Sequence, residues 1–232
     1  MIPLPEPSSA LIGFSERDIR VRPFKLLRTL LGRQLAGEGY KVIGVTSPSP
    51  NAGKSFLASN LAAAMSRVAS DKIVLADFDF QRATIAELFG IVDPPGITEY
   101  LAREIEGLPS IIRSVEDTNL FIAPCLLGAD NFVELLAGER LVELIASLRA
   151  FADDGIVICD LPPLFVSDDA LLVSQHLDGI VMVVEQGVTT KKQLETALEM
   201  IYPTKLVGTV FNRYKGALGN PYGYDGSYGV YY

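Results

Sequence analysis

The sequence predicts a three-layer α/β fold, with a mostly parallel central sheet flanked by helices, on three observations. Short apolar runs alternate with helical segments along most of the chain. Those runs are continuous in Val and Ile rather than interleaved with polar residues, the pattern of strands covered on both faces. The alternation is framed by a Pro-rich start and a Gly- and Tyr-rich end, neither of which carries a core-building period.

In chain order, Pro3, Pro5 and Pro7 open a stretch of little periodicity, read as a flexible N-terminal arm over residues 1–22. A helix is expected from about Pro23. It places Phe24, Leu27, Leu31 and Leu35 at helical spacing and ends at Gly37 and Gly39. There follow the strand runs KVIGVTS, KIVLADFD, NLFIAPC, GIVICD, GIVMVVEQ and KLVGTVFN, with helices through Ala58–Arg67, Leu141–Phe151 and Gln193–Ile201 between them. In a sheet of this kind ligands bind beyond the carboxyl ends of the strands. The predicted division is the arm, one domain over 23–213, and a disordered tyrosine-rich tail over 214–232.

Composition narrows the function classes. At 232 residues and 49% hydrophobic content, the chain can bury one sizeable core. Its 28 acidic and 20 basic residues give a net charge of -8, which disfavours nucleic acid as a partner. No apolar run reaches the roughly 18 residues of a membrane helix, and the start lacks a secretory pattern, so a cytoplasmic protein touching membrane only through a partner is expected. Cys125 and Cys159 lie in apolar runs and read as buried, reduced thiols. His176 is the only histidine, so neither a histidine metal set nor a hydrolase triad can be assembled.

The run SPSPNAGKS, Ser47 to Ser55, follows a strand and precedes a helix, the setting of a phosphate-binding loop. Residues Pro50, Asn51, Ala52, Gly53, Lys54, Ser55 and Phe56 are the expected nucleotide-binding run, with backbone N–H groups of the loop and of the helix N-terminus cradling the phosphates. Lys54 would reach the β- and γ-phosphates, and Ser55 would ligate Mg²⁺. Pro48 stands where the ordinary motif has its first glycine, and Asn51 where a second is common; Asn tolerates a left-handed backbone. The alternative is a Gly-Lys-Ser helix cap with no nucleotide.

Asp77 and Asp79 close the run KIVLADFD on the same rim, with strand alternation placing both on one side. Beside a triphosphate, one carboxylate would organise the metal and the other accept a proton; a solvated strand end is the alternative. A third strand ends in Asp160 and is stiffened by Pro162 and Pro163, the form of a metal-holding Walker B strand.

Together these runs resemble the cytoplasmic domains of bacterial tyrosine kinases, the BY-kinases, within the deviant Walker-A P-loop ATPases, from about Phe24 to the C-terminus. SPSPNAGKS matches the deviant Walker A, VLADFDFQR the Walker A′, and VICDLPPLFVSDDA the Walker B, with GTVFN and the tyrosine-rich end completing the match. Partition and cell-division ATPases of the wider family carry a lysine where this chain has Ser49, which favours the kinase branch. The resemblance implies a P-loop NTPase fold, ATP and Mg²⁺ as cofactors, and a role in capsule or exopolysaccharide synthesis with a membrane-embedded co-polymerase as activator. It further implies that Lys54 and Ser55 bind phosphate and metal, that Asp77 is the base for a tyrosine hydroxyl, that Asp79 and Asp160 organise Mg²⁺, and that Asn212 lies near the nucleobase.

This chain departs from the family at Gln81 and Ala83, where one cation near the phosphates is missing. It departs again at Arg22, Lys25 and Arg28, where the acidic half of a ring-forming helix is absent; a different homo-oligomer remains open. Six of nine tyrosines, Tyr214, Tyr222, Tyr224, Tyr228, Tyr231 and Tyr232, fall in the last 19 residues. They read as phosphoacceptors, or alternatively as a low-complexity docking tail. Two non-kinase readings also stand: an ATPase switch and a nucleotide-dependent scaffold.

Overall fold

The computed structural model describes residues 1–5, 10–92, 95–125 and 132–214. Seven strands, β1 (Val42–Thr46), β2 (Ile73–Asp77), β3 (Arg113–Ser114), β4 (Leu120–Ala123), β5 (Ile156–Asp160), β6 (Gly179–Glu185) and β7 (Lys205–Asn212), form one sheet in the order β3-β4-β2-β5-β1-β6-β7. Every neighbouring pair is parallel except β3 with β4. The helices are α1 (Arg22–Glu38), α2 (Lys54–Ser66), α3 (Thr84–Leu88), α4 (Ile97–Leu101), α5 (Phe132–Leu136), α6 (Glu139–Ala152), α7 (Asp169–Ser174) and α8 (Lys191–Met200).

Strands β1, β2 and β6 are buried throughout because helices cover both faces, whereas β7, at the edge of the sheet, is largely exposed. Ile73, Leu75, Ile43, Val45 and Ile158 face α1 and α2. Their alternates Val74, Ala76, Val42, Val157 and Cys159 face α4, α6, α7 and α8. By the same alternation Asp77 and Asp160 fall on the α2 side, and they are register partners across β2 and β5.

Helix α1 begins with Pro23 in its first turn and ends at Gly39 in the left-handed conformation, as the periodicity predicts. Helix α2 runs through the core rather than over it. Its Ala58, Ala62 and Ala63 are wholly buried, and small side chains let it lie close to the sheet. Both cysteines are buried and free. The short elements β3, α3, α4, α5 and α7 have no counterpart in the sequence reading, since two to six residues are too few to display a period.

The expected flexible arm is corrected by the structure. Leu11, Ile12 and Phe14 are in the core, Val21 is buried, and a short 3-10 helix spans Ile19–Val21. Buried Asn60 on α2 makes the attachment. Its Oδ1 accepts from the Ile12 and Gly13 amides at 2.7 and 2.8 Å, and its Nδ2 donates to the Ala10 carbonyl at 2.9 Å. Gly13 has no room for a side chain: a Cβ there would stand 2.4 Å from the Asn60 carbonyl oxygen. Ile2 also bridges to the sheet edge, donating to the Ser114 carbonyl at 2.8 Å. Of the predicted tail, only Tyr214 lies among the described residues, its ring 5.8 Å from Phe211. Tyr222, Tyr224, Tyr228, Tyr231 and Tyr232 lie outside them.

Asp178 ties the amino-terminal ends of β1 and β6 to α6. It accepts from the Lys41 and Val42 amides at 2.7 and 2.8 Å and from Arg149 at 2.8 Å. Burial works against its charge, but the Arg149 guanidinium and the two amides prevail and hold the carboxyl below its ordinary value. A depressed folded pKa contributes stability above the unfolded pKa and loses it as pH falls through the folded one. Asp178→Ala is therefore expected to cost about 2 kcal/mol at neutral pH. In urea titrations, the gap to the parent should close as pH drops below the carboxylate range.

Candidate nucleotide site

Three neighbouring parallel strands, β2, β5 and β1, deliver the site at their carboxyl ends. After β1 the chain turns through Ser47–Gly53, with Asn51 at φ 64° and Gly53 at φ 89°. The left-handed conformation costs Gly nothing and Asn little, which is why the loop closes without the second glycine. Gly53 caps α2 without a side-chain acceptor, so the first amides of the helix point into the cleft and are available to an anion.

Asn212, at the end of β7, holds this loop from outside: its Nδ2 donates to the Ala52 carbonyl at 2.8 Å. A Cβ on Gly53 would lie 2.3 Å from that same nitrogen. The cleft in front of the loop has a volume of about 660 Å³, the scale of a small-molecule site. Asn51, Gly53, Lys54, Ser55, Arg82 and Arg213 supply its polar wall. Ala10, Phe56 and Leu88 supply an apolar one.

Lys54 is buried and ion-paired with Asp79, and its Nζ stands 3.8 Å from Asp160 and 3.1 Å from the Ser55 hydroxyl. Burial opposes its charge, yet Asp160 and Asp79 outweigh burial and hold its pKa above the ordinary lysine value. Asp77 is wholly buried, with its two oxygens accepting from the Asp79 and Ile85 amides at 3.0 and 3.1 Å. Burial, then Asp160 beside it, pushes its pKa up to about 8. Asp160 is pushed up to about 6, first by burial, with Lys54 pulling the other way. Burial also raises both thiols.

Both oxygens of Asp160 and Oδ1 of Asp79 are buried without a hydrogen-bond partner among the described residues. Buried carboxylate oxygens are seldom left so. With the Ser55 hydroxyl they make a donor set of hard oxygens that fits Mg²⁺, which takes one or two protein oxygens and completes its shell with water and phosphate.

The structure thus brings Lys54, Ser55, Asp77, Asp79 and Asp160 together, with Ala52, Gly53 and Asn212 shaping the loop. Phe56 joins the apolar wall and packs edge-on against Phe24, with ring centroids 5.7 Å apart. Pro50 is exposed and is not part of the cleft wall. Two arginines were not anticipated. Arg82 donates to Asn51 Oδ1 at 2.8 Å, joining the loop after β2 to the phosphate loop. Arg213, at φ 54°, pairs with Glu185 at 2.6 Å and reaches the cleft. Only the position of Arg82, just past the DFDF run, hinted at a role. Thr84, whose buried hydroxyl has no partner among the described residues, was likewise missed.

Residues 43–226 match the family described as the CobQ/CobB/MinD/ParA nucleotide binding domain. A protein called tyrosine-protein kinase wzc, from Salmonella typhimurium, is 32% identical over 78% of this chain, which spans 25% of that relative's length. Tyrosine-protein kinase CpsD of Streptococcus pneumoniae is 30% identical, over 85% of this chain and 86% of its own. Among solved structures, the chimerical protein CapA2B2 superposes with a TM-score of 0.80 at 26% identity, covering 91% of this chain and 92% of the other.

Two outcomes follow from the loop and the acidic cluster. Asn212→Ala should weaken Mg-ATP binding about tenfold by freeing the loop, and Gly53→Ala should abolish it, as read by titration calorimetry. An unchanged affinity in Asn212→Ala would show that the loop needs no clamp. In nucleotide-free, Mg²⁺-free protein, the raised pKa of Asp77 contributes stability below its unfolded value and loses it as pH rises through about 8. Thermal melts of the parent and Asp77→Asn should accordingly move in the variant's favour from about pH 4 to 8.

Proposed function

Because the chain belongs to the CobQ/CobB/MinD/ParA nucleotide-binding family and aligns along most of a relative named as a tyrosine-protein kinase, we propose that it is a bacterial tyrosine kinase. It would transfer the γ-phosphoryl group of ATP to tyrosines of its own C-terminal cluster. The observation that carries this reading is the phosphate loop set against Asp77 and Asp160 at the ends of adjacent strands and Asp79 just after β2, with the tyrosine-rich sequence following β7, which ends at Asn212 on the same rim.

In this reading the amides at the start of α2 and the Lys54 ammonium hold the phosphates, Lys54 exchanging its carboxylate partners for phosphoryl oxygens. Ser55 and Asp160, with Asp79, would hold Mg²⁺, which would supply positive charge to the phosphates when bound. Asp77 accepts the proton of the attacking tyrosine hydroxyl as the tyrosyl oxygen bonds to phosphorus and the bond to the β-phosphate oxygen breaks. A pKa raised to about 8 by burial and by Asp160 suits a base working near neutrality. Arg82 and Arg213 line the same cleft. Among the described residues no helix is long and apolar enough to cross a membrane. We place the protein at the cytoplasmic face of the membrane, activated there by a polysaccharide co-polymerase, with capsular or exopolysaccharide synthesis as the regulated process. This placement rests on the family resemblance.

One observation favours a second reading, a nucleotide switch without transfer to tyrosine. Asp77 is wholly buried, with both oxygens engaged by backbone amides, so a tyrosine reaches it only if the loop from Phe78 to Thr84 shifts when nucleotide binds. Peptide mass spectrometry of the full chain incubated with Mg-ATP, with and without a candidate activator segment, separates the two. Phosphotyrosine within 214–232 that vanishes in Lys54→Met is the expected result. Phosphate release with an unmodified cluster would establish the switch.

A further inference from the structure

The loop after β5 stands between the loop carrying Asp79 and the phosphate loop, because β5 lies between β2 and β1. Backbone bonds fix it to the phosphate loop. The Leu164 amide donates to the Ser47 carbonyl at 2.9 Å, the Phe165 amide to the Pro48 carbonyl at 3.1 Å, and the Thr46 hydroxyl to the Pro162 carbonyl at 2.7 Å. Leu161 and Leu164 fill the core beneath. Phe165 and Val166 next to them are left 40% and 47% exposed. A rigid loop that holds an aromatic and a branched apolar side chain in water, on the rim where phosphoryl transfer would occur, suits a binding ledge.

We propose that Phe165 and Val166 form the docking ledge for this chain's tyrosine-rich segment, residues 215–232, and so position the acceptor ring over the phosphate loop. This deepens the kinase reading and rests on it. Three facts select that occupant. The described chain stops at Tyr214, two residues past Asn212, which is itself bonded to the phosphate loop. The segment's 18 residues span roughly 60 Å when extended at about 3.3 Å each, so the ledge is within reach in cis or from a second copy. Its charge is one cation, Lys215, and one acid, Asp225, so it offers rings rather than charge for recognition. An uncharged ledge bearing a phenyl ring can stack those rings, and the intervening glycines let each present its face.

The test is fluorescence anisotropy of a labelled 215–232 peptide titrated into the full chain loaded with Mg²⁺ and a non-hydrolysable ATP analogue. A Phe165→Ser/Val166→Ser double variant is expected to bind the peptide about tenfold more weakly with nucleotide affinity unchanged, and Phe165→Tyr to retain most of the binding. In phosphotyrosine assays the double variant should show a raised KM for peptide and a kcat close to the parent's. Equal peptide binding by parent and double variant overturns the proposal, as does the absence of saturable binding to the parent. Altered sedimentation with unaltered peptide binding would assign the ledge to contact between copies and also overturn it. Peptide binding that depends on the ledge, with no phosphotyrosine in either protein, would sustain the docking site and defeat the kinase reading instead.

Discussion

The arrangement on which the rest depends is one lysine held among buried carboxylates at the carboxyl ends of the central strands. Parallel pairing of β2, β5 and β1 brings their carboxyl ends level, so Asp77 and Asp160 become register partners and Lys54 enters beside them from the start of α2. One cation does not balance the group. The protein meets the excess partly by favouring the protonated acids, as the upward shifts of Asp77 and Asp160 show. The remainder is left as oxygens with no hydrogen-bond partner among the described residues. Such a site is close to neutral with protons aboard and is completed by a divalent cation and a phosphate chain, which bring compensating charges of both signs.

Around this centre each loop is held by a different strand's end. Asn212 reaches across from β7, Arg82 joins the loop after β2 to Asn51, and the loop after β5 hydrogen-bonds to Ser47 and Pro48. The phosphate loop is therefore held by three neighbours as well as by the left-handed conformations of its own Asn51 and Gly53.

The parts of this picture that were readable from the sequence are those whose cause is local. Continuous Val and Ile runs announce covered strands, and Lys54 with Ser55 opens a helix straight after one of them. The acids at Asp77 and Asp160 close strands visible as such. Long-range causes leave no such trace. Leu11, Ile12 and Phe14 follow no period and look like part of a loose arm, because the residue that orders their backbone, Asn60, lies 48 positions on from Ile12. Arg213 follows the last strand with nothing nearby in sequence to mark it; its partner Glu185 closes the neighbouring strand. Helices of five or six residues are likewise made by their packing and not by their pattern.

Asn60 has a consequence for how the chain transmits load. The same side-chain amide that fastens Ala10, Ile12 and Gly13 also donates to the carbonyl of Phe56, which itself lines the cleft. A pull exerted on the polypeptide ahead of Ala10 would reach the first turn of α2 through this planar group, beside the packing of Leu11, Ile12 and Phe14 in the core. Gly13 lies so near the helix that a Cβ there would stand 2.4 Å from the Asn60 carbonyl oxygen. The N-terminal segment and the phosphate-facing end of α2 behave as a single mechanical part.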